Sequence, residues 1–477
     1  MVDLETTTIE AFRAELRGDL VLPSDPSYDE IRSLHNAMID KRPALIACCR
    51  DVADVMAGVI FARRNGLDLA VRGGGHNGGG LGSVDGGLVL DLAAINGIRI
   101  DPTRRIAQVG GGAQLGDLDH AAYAFGLATP AGIISTTGVA GLTLGGGLGH
   151  LTRRLGLTID NLLEVDVVLA DGTFVTANAD DHADLFWAVR GGGGNFGIVT
   201  SFTFALHPIG TVIAGPTLWS MDQAPEVLRF YREFLPSAPD ELNGFFAFLT
   251  VPPAPAFPEH LHLQQMCGVV WCYTGSAEKA DEVFAPVRAV GSLALDGLMA
   301  MPYPVLQSAF DALYPKGLQW YWRADFVDEI SDEAIATHVE HARLLPTMHS
   351  TMHLYPIDGA ATRVAPDATA WAYRDARWAQ VIVGVDPDPA KAAMIRDWTI
   401  DYWGALHPHS MGGAYVNFMM DEGQERVQAT YRDHYSRLAA IKAKYDPTNL
   451  FHVNQNIQPT RTTNKGDSHD PQGCRLP

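Results

Sequence analysis

Four clumps of glycine stand between residues 73 and 194: the run 73–80 (GGGHNGGG), then 110–112, 145–147 and 191–194. Glycine has no Cβ and reaches positive φ without strain, so such runs let backbone amides close round an extended anion as a nest. Four clumps along one stretch of chain point to a shared, long ligand rather than to four unrelated turns. A dinucleotide fingerprint needs a strand before its glycines and a helix after them, so that the pyrophosphate caps the helix. Here GGGGNFG follows a predicted helix and precedes a predicted strand, the 73–80 clump lies between two predicted strands, and no clump reads GxxxxGK[ST]. The order argues against a Rossmann or P-loop site. One chemically active side chain is embedded in the glycines, His76, within Arg72-Gly73-Gly74-Gly75-His76-Asn77.

Other residues could carry chemistry. Histidines at 260/262, 338/341, 349/353 and 407/409 invite a metal reading, and His349 and His353 have the helical i, i+4 spacing. No Glu completes an HExxH, so no metal site is expected. His150, after the third clump, reads as structural. The aromatic run 319–322 (QWYW) suits either core packing or stacking on an aromatic or sugar substrate. Five cysteines form no CxxC pair and read as thiols of a reducing, cytoplasmic setting.

The elements that must position these residues follow from periodicity and breakers. The chain has 477 residues, 47% hydrophobic and 19% charged, enough for a large core in two or three domains. Its net charge of −20 disfavours nucleic acid or an anionic membrane as partner. The N-terminus lacks the basic-then-apolar pattern of a signal peptide, and no apolar run of membrane-spanning length occurs. Residues 1–39 read as lead-in helices, over Ile9–Leu20 and Tyr28–Met38. Residues 40–210 alternate short strands and helices around the glycine loops, with a hairpin turning at Asp171-Gly172. From 211 to 413 the clumps vanish and strands such as VVWCYTG and RWAQVIVGV interleave with helices, giving a second, substrate-side domain. A helix over 430–447 and an extended FHVNQNI complete a C-terminal segment, 414–460, and the polar tail 461–477 is expected to be disordered.

Taken in order, RGGGHNGGG, GGGAQLGDLD, GVAGLTLGGGLGHLTRRLGLTIDNL, LFWAVRGGGGNFGIVTSF and YDPTNLFHVNQNI resemble the bacterial berberine-bridge-enzyme-like FAD oxidases of the vanillyl-alcohol-oxidase (PCMH-type FAD-binding) superfamily. The resemblance covers about residues 40–460. It implies an α+β fold: a two-subdomain FAD domain, a substrate domain with an antiparallel sheet covered by helices, and a C-terminal segment returning to the FAD domain. It implies FAD bonded covalently to His76, with Arg72, Gly73, Gly74, Gly75 and Asn77 cradling the pyrophosphate and Thr136, Thr137, Gly138, Gly141 and Gly145 along the flavin. Asn195, Gly197 and Ile198, with Asn454 and Asn456 two apart on an extended strand, would close the pocket. Family members with a second, cysteinyl link carry a cysteine where this chain has Ile134, so a single histidyl link is expected.

For catalysis the resemblance points to Tyr415, in a Y-x-N motif with Asn417, and to Gln380, on a strand above the flavin. A Gln can orient but cannot accept a proton, which makes Tyr415 the candidate base. Leu148 and Trp378 stand where plant members carry a second tyrosine and a lysine, so the base could instead be Tyr373, a histidine or the substrate. The implied activity is hydride transfer from a small alcohol, amine, phenol or heterocycle to flavin N5, then to dioxygen, an acceptor that Thr137 would govern. Oligosaccharide oxidation, a dehydrogenase with another acceptor, and a flavin binder without turnover stand as alternatives. Oligomeric state is not legible in the sequence.

Overall fold

The short apolar runs Leu45–Cys48, Leu69–Arg72 and Leu88–Asp91 carry the Val, Ile and Leu content of strands buried on both faces. In the computed structural model, which describes residues 4–460, they pair in parallel with Leu88–Asp91 in the middle. Between the first two runs comes the helix Val52–Asn65, whose first turn is capped by the Asp51 carboxylate accepting from the amides of Ala53 and Asp54.

A second, five-stranded antiparallel sheet is ordered Ile98–Asp101, Ile106–Gly110, Ile198–Ala205, Leu162–Val168 and Phe174–Asn178, with the last two joined by the expected hairpin. The third sheet is antiparallel throughout and belongs to the second half of the chain. Its order is Leu295–Asp296, Thr211–Ser220, Gln265–Tyr273, Leu242–Thr250, Thr351–Pro356, Trp378–Asp386 and Gln319–Val327, with Met299–Pro302 also paired to Thr211–Ser220. Side-chain alternation gives this sheet two unlike faces. Phe246, Phe248, Leu354 and Ile382 pack on one face in the same core as Tyr231, Phe284, Ile335 and Tyr402 of four covering helices. Phe245, Ala247, Tyr355, Val381 and Val383 face the other way, into the core shared with the second sheet.

Four expectations need correction. The first helix covers Thr6–Glu15 and stops short of Leu20, because the Asp54 carboxylate takes the amides of Arg17 and Gly18 (2.7 and 3.0 Å) and turns Asp19–Val21 into an edge strand on Leu45–Cys48. The second is the single turn and a half Tyr28–Arg32. Beyond it Asn36 is drawn away by bonds to the carbonyls of Gly78 and Trp320 (2.8 and 3.0 Å). The helix read over 430–447 is two helices, Gln424–Tyr431 and His434–Tyr445, broken at Arg432 with φ 45°. The FHVNQNI segment is irregular and bends where the Asn454 amide bonds the His452 carbonyl (2.8 Å). The tail 461–477 and Cys474 lie outside the described residues. No helix of the described residues is long and apolar enough to cross a membrane.

Candidate active site

The loop that leaves strand Leu69–Arg72 runs directly against the loop 132–138. A Cβ on Gly74 would overlap the backbone nitrogen of Gly138, and one on Gly138 would overlap that of Gly74, so each of these two positions excludes a side chain at the other. Gly75 follows at φ 69°, a left-handed turn that aims the next side chain back across the loop. That side chain is His76. Its ring stacks on His35 (centroids 3.9 Å apart, 20° between planes), with Nε2 3.1 Å from Thr136 Oγ1 and Nδ1 3.5 Å from Thr137 Oγ1. Burial pushes its pKa down to about 3, so the imidazole is neutral and nucleophilic at physiological pH.

Arg72 spends one guanidinium nitrogen on Asp91 (2.6 Å) and leaves the buried Nη1 without a protein partner. An orphaned cationic donor beside a stretch of bare backbone fits a bound pyrophosphate. The third and fourth clumps meet each other: the amides of Gly191 and Gly193 both donate to the Leu144 carbonyl (3.1 and 2.9 Å). The C-terminal segment is stitched to the fourth clump. Asn454 Nδ2 donates to the Gly194 carbonyl (3.1 Å), and Lys442 Nζ donates to the Asn195 carbonyl (2.6 Å) from a fully buried pair with Asp446.

These loops enclose one end of a cavity of about 870 Å³, whose other end is the inner face of the third sheet. Residues 72–77, Thr137, Gly138, Gly141, Gly197, Ile198, Asn454 and Tyr415 line it, as do Ile134 and Leu148. Its length, its glycine floor and the Arg72 donor fit FAD as the ligand of that end.

Four of the expected cofactor-binding residues stand off the cavity wall. Thr136 touches His76 instead. Gly145 packs on Asn417, where a Cβ would overlap the carboxamide. Asn195 spends its whole side chain internally, Nδ2 on the carbonyls of Gly192 and Gln455 (2.9 and 3.1 Å) and Oδ1 on the amide of Ile457 (3.0 Å). Asn456 is not among the residues that line the cavity, and its Oδ1 is buried without a partner.

Gln380 is a clearer correction. Strand alternation points Ala379, Val381 and Val383 toward the shared core and Trp378, Gln380 and Ile382 toward the helices. Gln380 is buried there on the side of His338, whose pKa burial lowers to about 3. It does not reach the cavity. Tyr373 is likewise outside the cavity, its hydroxyl donating to the Ala429 carbonyl (2.9 Å) and its ring covered by the Arg432 guanidinium at 3.5 Å.

Tyr415 does face the cavity, and its oxygen accepts from the Gly147 amide (3.0 Å) and from Asn417 Nδ2 (2.7 Å). Burial outweighs both donors and raises its pKa above the ordinary phenol value. Sequence reasoning missed His35 and the pair His353 and Tyr355, all on the cavity wall, and left Trp320 and Trp322 between core and ligand. The only signal for the pair was an i, i+2 polar spacing inside an apolar strand. His353 lies on a strand, not on the helix its spacing to His349 suggested, and among the described residues no three His, Cys, Asp or Glu converge on a metal-sized site.

Residues 43–178 match the family model of the FAD binding domain, and residues 414–458 match that described as berberine and berberine like. The FAD-linked oxidoreductase YgaK of Bacillus subtilis (strain 168) is 31% identical, over 94% of this chain and 98% of its own. The (R)-6-hydroxynicotine oxidase of Paenarthrobacter nicotinovorans is 31% identical over 93% of this chain and 97% of its own. The xylooligosaccharide oxidase of Thermothelomyces thermophilus is 29% identical over 89% of each. The crystal structure of 6-hydroxy-D-nicotine oxidase from Arthrobacter nicotinovorans superposes with a TM-score of 0.84 at 28% identity, covering 96% of this chain and 100% of that one. With its FAD-shaped cleft and these relatives, the chain belongs to the berberine-bridge-enzyme-like family of FAD-linked oxidoreductases.

Proposed function

We propose that this enzyme is an oxidase that holds FAD through a single covalent bond to His76 and oxidises a small organic substrate with dioxygen as final acceptor. The observation that carries the reading is the setting of His76: a neutral imidazole, pinned by His35, Thr136 and Thr137, on the wall of the FAD-sized end of the cavity. A neutral imidazole is what bond formation to an electrophilic carbon requires. FAD, once bound, supplies a two-electron acceptor within the cavity.

The chain's own residues do the rest. Residues 72–77 and Arg72 Nη1 hold the pyrophosphate, and Asn454 closes the loops over the cofactor. Ile134 stands where a second, thiol link would form, and among the described residues no cysteine lines the cavity. Tyr415 keeps its proton because burial dominates its environment, so its role is to donate a hydrogen bond rather than to act as base. Thr137 and Leu148 border the space through which dioxygen would approach. The apolar wall around the substrate end suits a small organic molecule better than an oligosaccharide, whose many hydroxyls need partners. A cytoplasmic location is supported by four described cysteines that are all unpaired thiols.

The test is denaturing electrophoresis with flavin fluorescence. The wild type should give a fluorescent band that His76→Ala loses and Cys49→Ala keeps. A flavin-loaded wild type with no fluorescent band removes the covalent reading. Reduced enzyme that does not reoxidise in air removes the oxidase reading in favour of a dehydrogenase, and a flavin that no substrate bleaches favours a binder without turnover.

A further inference from the structure

The sheet end of the cavity carries one polar pair that the mechanism above does not use. His353 and Tyr355 are two apart on strand Thr351–Pro356, so both point to its inner face, and His353 Nδ1 lies 2.8 Å from Tyr355 Oη. Their cross-strand neighbours are small. His353 stands between Ala247 and Val381, and Tyr355 beside Ala379, so neither ring is covered by a large side chain in the adjacent strand register. Both line the cavity. Phe245 packs 5.2 Å from the His353 ring and 5.1 Å from that of Tyr355. Phe418 lies 5.7 Å from Tyr355 and 4.8 Å from Tyr415, which links the pair to the flavin-side tyrosine. Burial lowers His353 to about 4 and raises Tyr355 above the ordinary phenol value, so both are uncharged at neutral pH.

The wall around the pair is chemically plain. Among the described residues that line the cavity there is no Asp, Glu or Lys, and its single charged side chain, Arg72, is already paired with Asp91 at the far end. Four polar atoms of lining residues are buried without partners: Arg72 Nη1 at the far end, the indole N–H groups of Trp320 and Trp322, and the Tyr431 hydroxyl. A cationic amine or a carboxylate would lose its hydration here without gaining a counter-charge, and an oligosaccharide would strand most of its hydroxyls. A flat, uncharged molecule with one hydroxyl and one further acceptor finds a partner here for each of its own polar groups.

We propose that Tyr355 and His353 are the proton-accepting pair of this enzyme and that its substrate is an uncharged aromatic alcohol. The alcohol's hydroxyl meets Tyr355 Oη, and an acceptor on its ring system meets the indole N–H of Trp320 or Trp322. This rests on the reading of FAD as the electron acceptor. The carbinol C–H bond breaks with both electrons leaving as hydride, for which bound FAD would supply the two-electron acceptor. The O–H bond breaks as its proton passes to Tyr355 Oη while the Tyr355 proton passes to His353 Nδ1. The carbon–oxygen bond becomes a carbonyl, and dioxygen later takes up two electrons and two protons as hydrogen peroxide. As the hydride departs, the hydroxyl becomes that of a protonated carbonyl, a strong acid, so an imidazole of reduced basicity suffices as acceptor.

The probes are 6-methoxy-2-naphthylmethanol, whose ether oxygen supplies the ring acceptor, its charged isosteres 6-methoxy-2-naphthylmethylammonium and 6-methoxy-2-naphthoate, and xylobiose. Binding to oxidised holoenzyme is read by thermal shift, and flavin reduction by anaerobic bleaching. The alcohol should bind about tenfold more tightly than the other three and bleach the flavin. His353→Ala should slow bleaching about 100-fold while leaving the alcohol's Kd within about threefold, and added imidazole should restore part of the rate. Tyr355→Phe, which removes one oxygen and no volume to speak of, should slow bleaching similarly without imidazole rescue. The proposal is overturned if the alcohol binds no better than the others or does not bleach the flavin. It is equally overturned if both variants bleach at the wild-type rate, or if rate and binding fall together without rescue. A protein that purifies without flavin absorbance overturns the FAD reading and this proposal with it. A flavin-loaded enzyme that fails any of these arms overturns this proposal alone.

Discussion

Gly74 and Gly138, 64 positions apart in sequence, share one backbone contact in which neither tolerates a Cβ. The contact sets the spacing between the loop that carries His76 and the loop that carries Thr136 and Thr137, and hence the grip of both threonines on the imidazole. Gly138→Ala should force the loops apart, costing about 1–3 kcal/mol of stability, as overpacking of a tight contact does. Flavin content, read from the ratio of visible to ultraviolet absorbance, should fall further than Tm does. Normal flavin loading in this variant would show that the contact is incidental to the site.

Gln380 packs beside His338 on the helix-side face of the third sheet, not over the cavity. Gln380→Leu, a swap of similar volume in a buried setting, should therefore move Tm by no more than a few degrees and leave the rate of flavin reduction within about threefold. A drop of 100-fold or more in that rate with unchanged Tm would put the side chain back at the reacting centre.

Lys442 and Asp446 form a fully buried pair that also holds the Asn195 and Phe451 carbonyls and the amides of Leu450 and Phe451. Removing one partner of such a pair strands the other, at a cost of about 3–5 kcal/mol. Lys442→Met should show that loss in chemical denaturation and should release the C-terminal segment from the fourth glycine clump, speeding proteolysis there. Lys442→Met/Asp446→Leu should cost less than the sum of the two single variants. Full additivity would show that the two side chains act separately.

Asp119 is buried between the helices Leu115–Tyr123 and Tyr303–Gln307, with one hydrogen bond from Gln307 Nε2 (3.1 Å), and burial raises its pKa to about 7. The unfolded carboxyl titrates near 4. The folded state thus binds the proton more tightly, and the protonated form's stabilising effect fades as pH rises from about 4 to about 7. The gap of roughly 3 pKa units sets a ceiling of about 4 kcal/mol. Asp119→Asn should be more stable than the wild type at pH 8 and lose that advantage below pH 4, as followed by Tm across the range. Parallel Tm profiles for the two proteins would remove the buried carboxyl as the cause.

Much of this protein was legible along the chain. The glycine clumps, their wrong order for a Rossmann site, and His76 within them are local facts, because a nest is built from consecutive backbone amides and needs only residues in sequence. The strands Leu162–Val168 and Phe174–Asn178 announced themselves by alternation and by an Asp-Gly turn. Helix ends were less legible: the first helix stops at Glu15, and the amides of Arg17 and Gly18 just past it go to Asp54, more than thirty residues on in the sequence.

The face of a strand was decided by tertiary structure alone. A strand offers two equivalent faces, and a shift of one residue exchanges them. The pattern RWAQVIVGV is apolar on both faces, so nothing local says that Val381 meets the cavity and Gln380 the helices. The partner strands settle it, through the register that places His353 opposite Val381 and Leu354 opposite Gln380. The same pairing lifts His353 and Tyr355 out of an unremarkable apolar run and onto the wall of the cavity. Sequence determined the cofactor's loops because backbone conformation is local; only the fold decided which side chains look across at it, because that depends on which strands lie beside one another.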